Sequence, residues 1–432
     1  MKRKLKQVKT AYVIFSFSIL SLSQAFTNGH TTVARAVQST LLNVCILAGI
    51  YAFRGFSVKT SSSWNSTLVS FFIGSLFGAL LASIPIVLFF EQRISLFSLI
   101  LTGFLATFVL SSLYRLLQRI LIRYLPEQRI LVIGKEKEFS SLFQEIQEAS
   151  FQKIKVSQFM NPSAVALTQA LSGRRMFQQV VVADPELAKS VEPILVQAKH
   201  SGEQIIFLPT LVEKQLERIP IQVLEKFRNY YELVFENVLP SPAVRVLDIF
   251  ISLIALTILS PIMLLVAALI LLEDGKPVIF KQQRTGWNGK PFILYKFRSM
   301  KNEAKEREDR FATQEQHRIL KIGRIIRPIR LDEVPQFWNI LRGTMSLVGP
   351  RPEQIPFVEE YSQEIPFYTA RHSLKPGLSG WAQISYRYAA SSEETRKKLS
   401  YDLFYVKNRN LLFDLRIALQ TLEAVFWRKG AK

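Results

Sequence analysis

Four apolar stretches crowd the start of this chain, near residues 11–29, 36–53, 66–90 and 95–114. Each approaches the ~20 residues that a helix needs to cross the hydrocarbon core of a bilayer. No water reaches that core, so every backbone N–H and C=O must be satisfied within the segment, and a helix does this. The pattern predicts a four-helix transmembrane bundle over residues 1–125. The first stretch has the basic start and apolar run of a signal peptide, but three more spans follow at once, so it reads as an anchored helix. A core of buried helices is the alternative.

Charge supplies the orientation. The chain has 55 Lys and Arg against 34 Asp and Glu in 432 residues. Residues 1–125 hold twelve of the bases and a single acid, Glu91. The bases gather in Lys2 to Lys9 and in Arg115, Arg119 and Arg123, with Arg129 just beyond; Arg54 and Lys59 sit in the second short loop, and Arg35 and Arg93 in the first and third. Bases collect on the cytoplasmic side, so both ends of the bundle are expected there. No Asp, Glu, Lys or Arg lies at mid-span, so nothing suggests an ion or proton path. A basic chain with a large apolar fraction also raises nucleic-acid binding, but no recognition module is present and the bases flank apolar runs; nucleic acid is excluded as a partner. The one cysteine, Cys45, allows no intrachain disulfide, and the four histidines are scattered, so no Cys/His metal cluster exists. A lone His such as His372 reads as a surface or satisfied residue.

Residues 126–240 change character. Ile130-Leu-Val-Ile-Gly134 reads as a buried parallel strand and Glu138 to Ala149 as a helix. Lys153 to Phe159, Val180 to Asp184 and Gln204 to Leu208 read as further strands with helical patterns between them. This alternation predicts a small doubly wound α/β (Rossmann-like) domain. Its first turn, Gly134-Lys-Glu-Lys-Glu-Phe139, lacks the later glycines of a dinucleotide fingerprint, and two acids crowd where a pyrophosphate would lie. A regulatory or assembly role fits it better than cofactor binding.

Residues 241–432 open with Arg245-Val-Leu-Asp248 and then 24 residues, Ile249 to Leu272, without a charge. That is long enough to span. Ser260-Pro261 sits at the middle, where proline removes a backbone hydrogen bond. A kinked span and a helix that bends back to its own side are both open on hydropathy alone.

The richest stretch is Arg327-Pro-Ile-Arg330-Leu-Asp332-Glu333-Val-Pro335-Gln-Phe-Trp-Asn339, running on to Gly349-Pro-Arg351-Pro-Glu353. Pro335 is tolerated in a first helical turn; Phe337, Ile340 and Leu341 follow at helical spacing, and Gly343 is placed to end the helix. Asp332 is therefore expected at or near the N-cap, ionised by the helix dipole. An ionised carboxylate among arginines is a nucleophile suited to phosphorus. An ordinary capped helix with solvated charges is the alternative.

Several separated blocks resemble the bacterial sugar transferase family, the monotopic phosphoglycosyl transferases that begin glycan assembly on polyprenyl phosphate. They are Lys281-Gln-Gln-Arg284-Thr-Gly286, Lys296-Phe-Arg298-Ser-Met300, Leu331-Asp332-Glu333-Val-Pro-Gln336, Gly349-Pro-Arg-Pro352, Lys375-Pro-Gly377-Leu-Ser-Gly380-Trp-Ala-Gln383, and Tyr401-Asp402-Leu-Phe-Tyr405-Val-Lys-Asn408 with Phe413-Asp414-Leu. The resemblance covers roughly residues 241–428. It implies a membrane α-helical bundle plus α/β, ending in a mostly helical monotopic catalytic domain with a re-entrant helix over 243–272, broken at Ser260 and Pro261. A span there would put the Asp332 block outside, where nucleotide sugars are absent.

The implied activity is a phosphotransferase of the bacterial inner membrane. It would move a sugar 1-phosphate from a UDP-sugar to undecaprenyl phosphate through an aspartyl-phosphosugar intermediate, initiating exopolysaccharide, capsule or O-antigen synthesis. Asp332 is the implied nucleophile and Glu333 its partner, as metal ligand or base. Lys296, Arg298, Arg327, Arg330, Arg351 and Gln383 are the substrate-binding candidates; Arg327 and Arg351 match phosphate-contacting positions. Mg²⁺ suits a carboxylate-plus-phosphate site, held by Asp332 and Glu333. One of Asp402 and Asp414 is expected to complete the acidic site and the other to cap a helix. The bilayer is a partner, and larger family members suggest a homodimer. Two departures stand out: Val244 replaces the usual Lys before Arg245, and His317-Arg318-Ile-Leu320 replaces an Asp-Arg-x-Thr pattern. The C-terminal stretch from Leu399 to Lys429 mixes Phe404, Leu411, Leu412 and Phe426 with Lys407, Arg409, Arg416 and Arg428, which suits interfacial helices. The alternatives are a lipid glycosyltransferase releasing UDP and a catalytically inactive scaffold for polysaccharide assembly.

Overall fold

A computed structural model describes residues 2–28, 33–53, 55–56, 64–90, 95–172, 177–239, 241–301, 318–386 and 392–426, with side chains lacking at 2–9, 25–28, 66 and 422–426. Arg54, Lys59, Glu91, Arg93, His317, Phe426's side chain, Arg428 and Lys429 lie outside what is described. The chain divides into two compact units, 1–126 and 127–432.

The first unit is helical: α1 (Lys2–Asn28), α2 (Val33–Ala52), α3 (Trp64–Phe89) and α4 (Leu96–Tyr124). Val33–Ala52, Thr67–Phe89 and Leu96–Tyr124 are long and apolar enough to cross a membrane; α1 offers a shorter apolar stretch, Thr10–Gln24. The run expected at 95–114 is thus the apolar part of a longer helix. Helices α2 and α3 touch backbone to backbone: a Cβ on Gly49 would lie 2.1 Å from the Gly74 carbonyl oxygen. Gly74 and Gly78 form a small-xxx-small pair that permits this approach. A group of neutral polar side chains inside is bonded together. The Gln24 amide donates to Asn43 Oδ1 at 2.9 Å, and Asn43 donates to Ser21 Oγ at 3.0 Å. One π turn, Leu105–Leu110, interrupts α4, and the Tyr12 hydroxyl donates to the Leu110 carbonyl there.

The second unit starts with four parallel strands, β1 (Gln128–Ile133), β2 (Ile154–Met160), β3 (Gln179–Val182) and β4 (Gln204–Phe207), in the order β2-β1-β3-β4. Strand β1 alternates: Ile130 and Val132 join one apolar cluster with Phe139 and Phe143, while Leu131 and Ile133 join another with Leu167 and Leu195. Helices therefore cover both faces: α5 (Glu136–Ala149) and α9 (Leu208–Leu216) on one, α6 (Ala164–Ser172) and α8 (Glu192–His200) on the other, with α7 (Pro185–Lys189) between strands. At the sheet's carboxyl edge Phe139 packs on Gly134, and Lys226 joins Glu138 at 2.9 Å to Asp184 at 2.8 Å. These groups gather at the first strand-to-helix turn, where a dinucleotide-binding domain would present its glycines. Helices α10 (Ile221–Lys226) and α11 (Arg228–Glu236) follow.

Helix α12 (Pro242–Asp274) is one helix through Ser260-Pro261. Pro261 cannot donate to Thr257 O; the Ser260 hydroxyl does so instead, at 2.8 Å. Its apolar middle, with Phe250, Leu253, Ile258 and Leu264, is exposed, and it is the fourth segment able to cross a membrane by length and composition. Then come the hairpin β5 (Ile279–Thr285) and β6 (Pro291–Phe297), α13 (Lys321–Ile326), α14 (Gln336–Arg342), β7 (Ser346–Val348), α15 (Ile355–Glu364), β8 (Gly377–Ser379), α16 (Trp381–Ser385), α17 (Ser392–Asn408) and α18 (Leu411–Phe426). Strand β7 pairs β8 in parallel. Residues 126–240 and 241–432, expected as separate domains, share one apolar core: Phe139, Leu224 and Tyr231 belong to the same cluster as Tyr368, Trp381 and Leu403.

Candidate active site

The strip from Arg327 to Glu333 is fixed from both sides. Helix α13 delivers Arg327; Arg330 then takes a left-handed conformation (φ 57°). For a non-glycine residue this costs about 1–2 kcal/mol, and it folds Leu331–Glu333 into a 3₁₀ turn. The α-helix proper begins only at Gln336. Asp332 is therefore not an N-cap as expected: Pro335 holds that position, and its ring offers no side-chain cap. Asn339 locks α14 to β6, donating to Ile293 O at 2.7 Å and accepting from Tyr295 N–H at 3.0 Å. This sets Lys296, on β6, against the Asp332 turn. Arg351 comes from the loop after β7, where Gly349 and Gly377 let two backbones cross; a Cβ on Gly377 would lie 2.0 Å from Gly349 N.

The two carboxylates of the turn differ. Glu333 is held, with Arg330 Nη1 at 3.2 Å and Arg351 Nη2 at 3.6 Å. Burial pushes its carboxyl up, but Arg351 and Arg330 overcome this and keep it below the usual range. Asp332 makes no ion pair with any described residue. Burial, then the adjacent Glu333, push its carboxyl up to about 6, against the pull of Lys296 and Arg327. The expected dipole-driven ionisation gives way to this desolvation. Burial lowers Lys296, whose Nζ lies 5.0 Å from the Phe280 ring centre, while Asp332 opposes the fall. Arg351 ends above its ordinary value: burial opposes its charge, but Glu333 and Glu353 outweigh that.

The structure brings Asp332, Glu333, Lys296, Arg327, Arg330 and Arg351 together, and it places the other candidates elsewhere. Arg298 is buried at the end of α12, where it donates to Asp274 O and Gly275 O at 2.8 Å and pairs with the Asp274 carboxylate at 3.1 Å; in this structure it anchors the helix end. Gln383 lies beside Gly380, its buried Oε1 without a donor among the described residues. Asp402 is consumed by a fully buried pair with Arg371 at 2.8 Å. Asp414 accepts from the Tyr405 hydroxyl at 2.7 Å and from Arg409 at 3.3 Å. Neither caps a helix: Asn410 Oδ1 takes the Phe413 N–H at the start of α18. Each is engaged by a basic or hydroxyl partner, Arg371 for Asp402 and Tyr405 with Arg409 for Asp414.

Sequence reasoning missed the groups that support Arg351. Arg371 donates to Arg351 O at 3.0 Å and to the Tyr368 hydroxyl at 3.1 Å. Glu353 meets Lys398 at 2.6 Å, and despite burial Lys398 and Arg371 hold its carboxyl at about 2. Arg284 donates to Pro352 O at 3.2 Å, with burial pushing it down to about 10. Only the position of Glu353 beside Pro352 hinted at any of this.

No cluster of three or more His, Cys, Asp or Glu exists among the described residues. The adjacent Asp332 and Glu333 still fit Mg²⁺, which is commonly held by one or two carboxylates plus substrate phosphates and waters. Glu333 Oε1 is approached by both Arg330 and Arg351 and Oε2 by Arg330 alone, so Oε2 in particular keeps acceptor capacity.

A family model described as bacterial sugar transferase matches residues 240–428. A Bacillus subtilis protein named uncharacterized sugar transferase EpsL is 40% identical over 186 residues, which cover 43% of this chain and 88% of that relative. The chain belongs to the bacterial sugar transferase family. It is also similar to an Aeromonas hydrophila protein named UDP-N-acetylgalactosamine-undecaprenyl-phosphate N-acetylgalactosaminephosphotransferase, 38% identical over 253 residues, 58% of each chain. An Escherichia coli K12 protein named UDP-glucose:undecaprenyl-phosphate glucose-1-phosphate transferase is 40% identical over 189 residues, 43% of this chain and 41% of that one. The matches thus span about half the length of these last two relatives.

Proposed function

We propose that this sugar transferase moves a sugar 1-phosphate from a UDP-sugar to undecaprenyl phosphate, on the cytoplasmic face of the bacterial inner membrane, as the first step of an exopolysaccharide-type glycan. The observation that carries the reading is the inequality of the two carboxylates. Glu333 is pinned by two arginines, whereas Asp332 has no ion pair among the described residues and its carboxyl is pushed up to about 6 by burial, so it is largely ionised at neutral pH and free to attack.

Asp332 Oδ attacks the sugar-bearing phosphorus, and the bond from that phosphorus to the oxygen shared with the uridine-side phosphate breaks. UMP leaves with that oxygen. An oxygen of undecaprenyl phosphate then attacks the aspartyl phosphate, the bond to Asp332 breaks, and the carboxylate returns as the lipid-linked diphosphate sugar departs. Arg327, Arg351 and Lys296 neutralise the phosphate oxygens, the main task in phosphoryl transfer. Bound Mg²⁺ would screen the diphosphate and polarise its oxygens. Glu333 supports the metal or receives the acceptor's proton.

We also propose that α12 is re-entrant. Both ends are tied to one body: Arg245 donates to Ile340 O at 2.5 Å and Leu341 O at 2.6 Å, while Glu273 accepts from Lys321 N–H at 2.5 Å and Ile322 N–H at 2.9 Å. If α12 crossed, residues 322–340 would have to cross too, carrying Arg324, Arg327, Arg330, Asp332 and Glu333, which hydrocarbon does not tolerate. Ile325, Trp338 and Leu412 are exposed near these anchors and suit the interface. The α/β region, read as a Rossmann-like domain without the dinucleotide glycines, serves as a support.

The test is to incubate membranes with labelled UDP-N-acetylgalactosamine and UDP-glucose and undecaprenyl phosphate. UMP release and a phosphosugar adduct on Asp332 by mass spectrometry are expected; UDP release would favour a glycosyltransferase instead. Impermeant thiol labelling of single cysteines near Lys276, in a Cys45→Ser background, should fail in intact cells. Labelling from outside would end the re-entrant reading.

A further inference from the structure

Helix α17 is engaged on two sides. Lys398, Asp402 and Tyr405 stand at helical spacing on one face. Lys398 holds the Glu353 carboxylate at 2.6 Å; Asp402 holds Arg371, which donates to Arg351 O at 3.0 Å; the Tyr405 hydroxyl donates to Val348 O at 3.1 Å. Three successive positions of this helix thus secure the loop from Val348 to Glu353, on which Arg351 rides. The opposite side faces the α/β region. Ile219 N–H donates to Ser400 O at 2.8 Å. Lys407 donates to Glu213 Oε1 at 2.7 Å and to the Tyr230 hydroxyl at 2.9 Å, with its ammonium 4.9 Å from the Tyr230 ring centre and 5.3 Å from that of Tyr231. Tyr231 completes the arrangement, its hydroxyl donating to the same Glu213 oxygen at 2.9 Å. An ammonium between two aromatic faces and a carboxylate fixes both distance and direction. Nearby, the Trp381 indole donates to Glu217 O at 2.8 Å.

We propose that α17 is the beam through which the α/β region fixes the Arg351 loop, and that Lys407 is a positioning residue although it lies on the helix face turned from that loop. The proposal rests on the phosphotransferase reading for what Arg351 grips, but not for the mechanical link. A residue that sets a loop carrying a phosphate ligand acts through geometry, since small displacements of such a group are costly to binding. Residues 241–432 would then contain every reacting group and still lack the support that keeps Arg351 in place. In relatives covered almost wholly by the catalytic region, the rear of this helix must be supported otherwise.

The experiment uses the full chain in nanodiscs, with Lys407→Ala, Glu213→Gln and the milder Tyr230→Phe. Amide hydrogen exchange is followed over residues 346–358, 321–342 and 208–236, and UMP release from UDP-N-acetylgalactosamine and UDP-glucose gives KM and kcat separately. Exchange over 346–358 should quicken while 321–342 is unchanged. KM should rise between about twofold and thirtyfold, more than kcat falls, because Arg351 grips the diphosphate before reaction. Faster exchange over 208–236 with none over 346–358 overturns the proposal, as does a quickened loop with an unmoved KM. Should Lys407→Ala fail to fold, Tyr230→Phe removes one hydrogen bond and decides by the same criteria. Wild-type protein that releases no UMP would refute the functional reading, and the exchange comparison would still judge the link.

Discussion

The N-terminal bundle and the catalytic region bury polar groups by opposite rules. In the bundle they are neutral: Gln24, Asn43 and Ser21 bond to one another, and tyrosine hydroxyls meet carbonyls. In the catalytic region they are charged and paired, as in Arg371–Asp402, Lys398–Glu353 and Glu333 between two arginines. A bundle in lipid needs only to satisfy its polar groups, and its helices gain most from close approach, as at Gly49 and Gly74. The catalytic region holds several like charges close together, and that demands buried counter-charges. The difference teaches where chemistry is housed: strain, at Arg330, and a displaced titration, at Asp332, both fall in the charged region.

The largest test of this contrast is Asp332→Asn. UMP release should fall by more than about 10⁴-fold, as for other lost nucleophiles, while Glu333→Gln leaves a trace; full activity in Asp332→Asn would remove the covalent step. Next, Asp402→Ala strands a buried guanidinium, and thermal or denaturant unfolding of the purified protein should show about 3–5 kcal/mol lost. An unchanged midpoint would mean that the pair is not a structural necessity. Third, UMP release should show an acid limb near pH 6. Asp332 is protonated below that pH and ionised above it, so kcat/KM should drop about tenfold per pH unit on the acid side. Lys296→Met should move the limb upward, because Lys296 currently favours the ionised form; a limb near the ordinary aspartate value would argue against the desolvated nucleophile. Smallest is Gln24→Leu in the bundle, expected to cost about 0.6 kcal/mol and to leave UMP release as it was.

The apolar runs, the βα alternation and the Asp332-Glu333 block were legible because each is written in local spacing. Helix α14 and its end at Gly343, in the left-handed conformation, were legible for the same reason. The N-cap reading of Asp332 failed because Arg330 bends the chain in a way that residue type alone does not announce. Arg298, Asp402 and Asp414 looked alike as charged residues in matching blocks, and only long-range partners separate them: Asp274 for the first, Arg371 for the second, Tyr405 for the third. Arg371 left no signal at all, since a buried arginine and an exposed one read identically in sequence. The glycine contact of α2 with α3 was present as Gly74 and Gly78, but its partner Gly49 lies on another helix.

The shared core has a consequence for biosynthesis. Residues 130–235 supply one side of it and residues 348–417 the other, and α12 lies between them in the chain. At translation rates of 5–20 residues per second, the first side waits on the order of ten seconds for the second, while the long apolar α12 is made in between. During that interval Tyr231, Phe235 and Leu224 lack the partners that complete their cluster, so the nascent chain depends on a folding helper or on speed in a way the finished protein does not reveal.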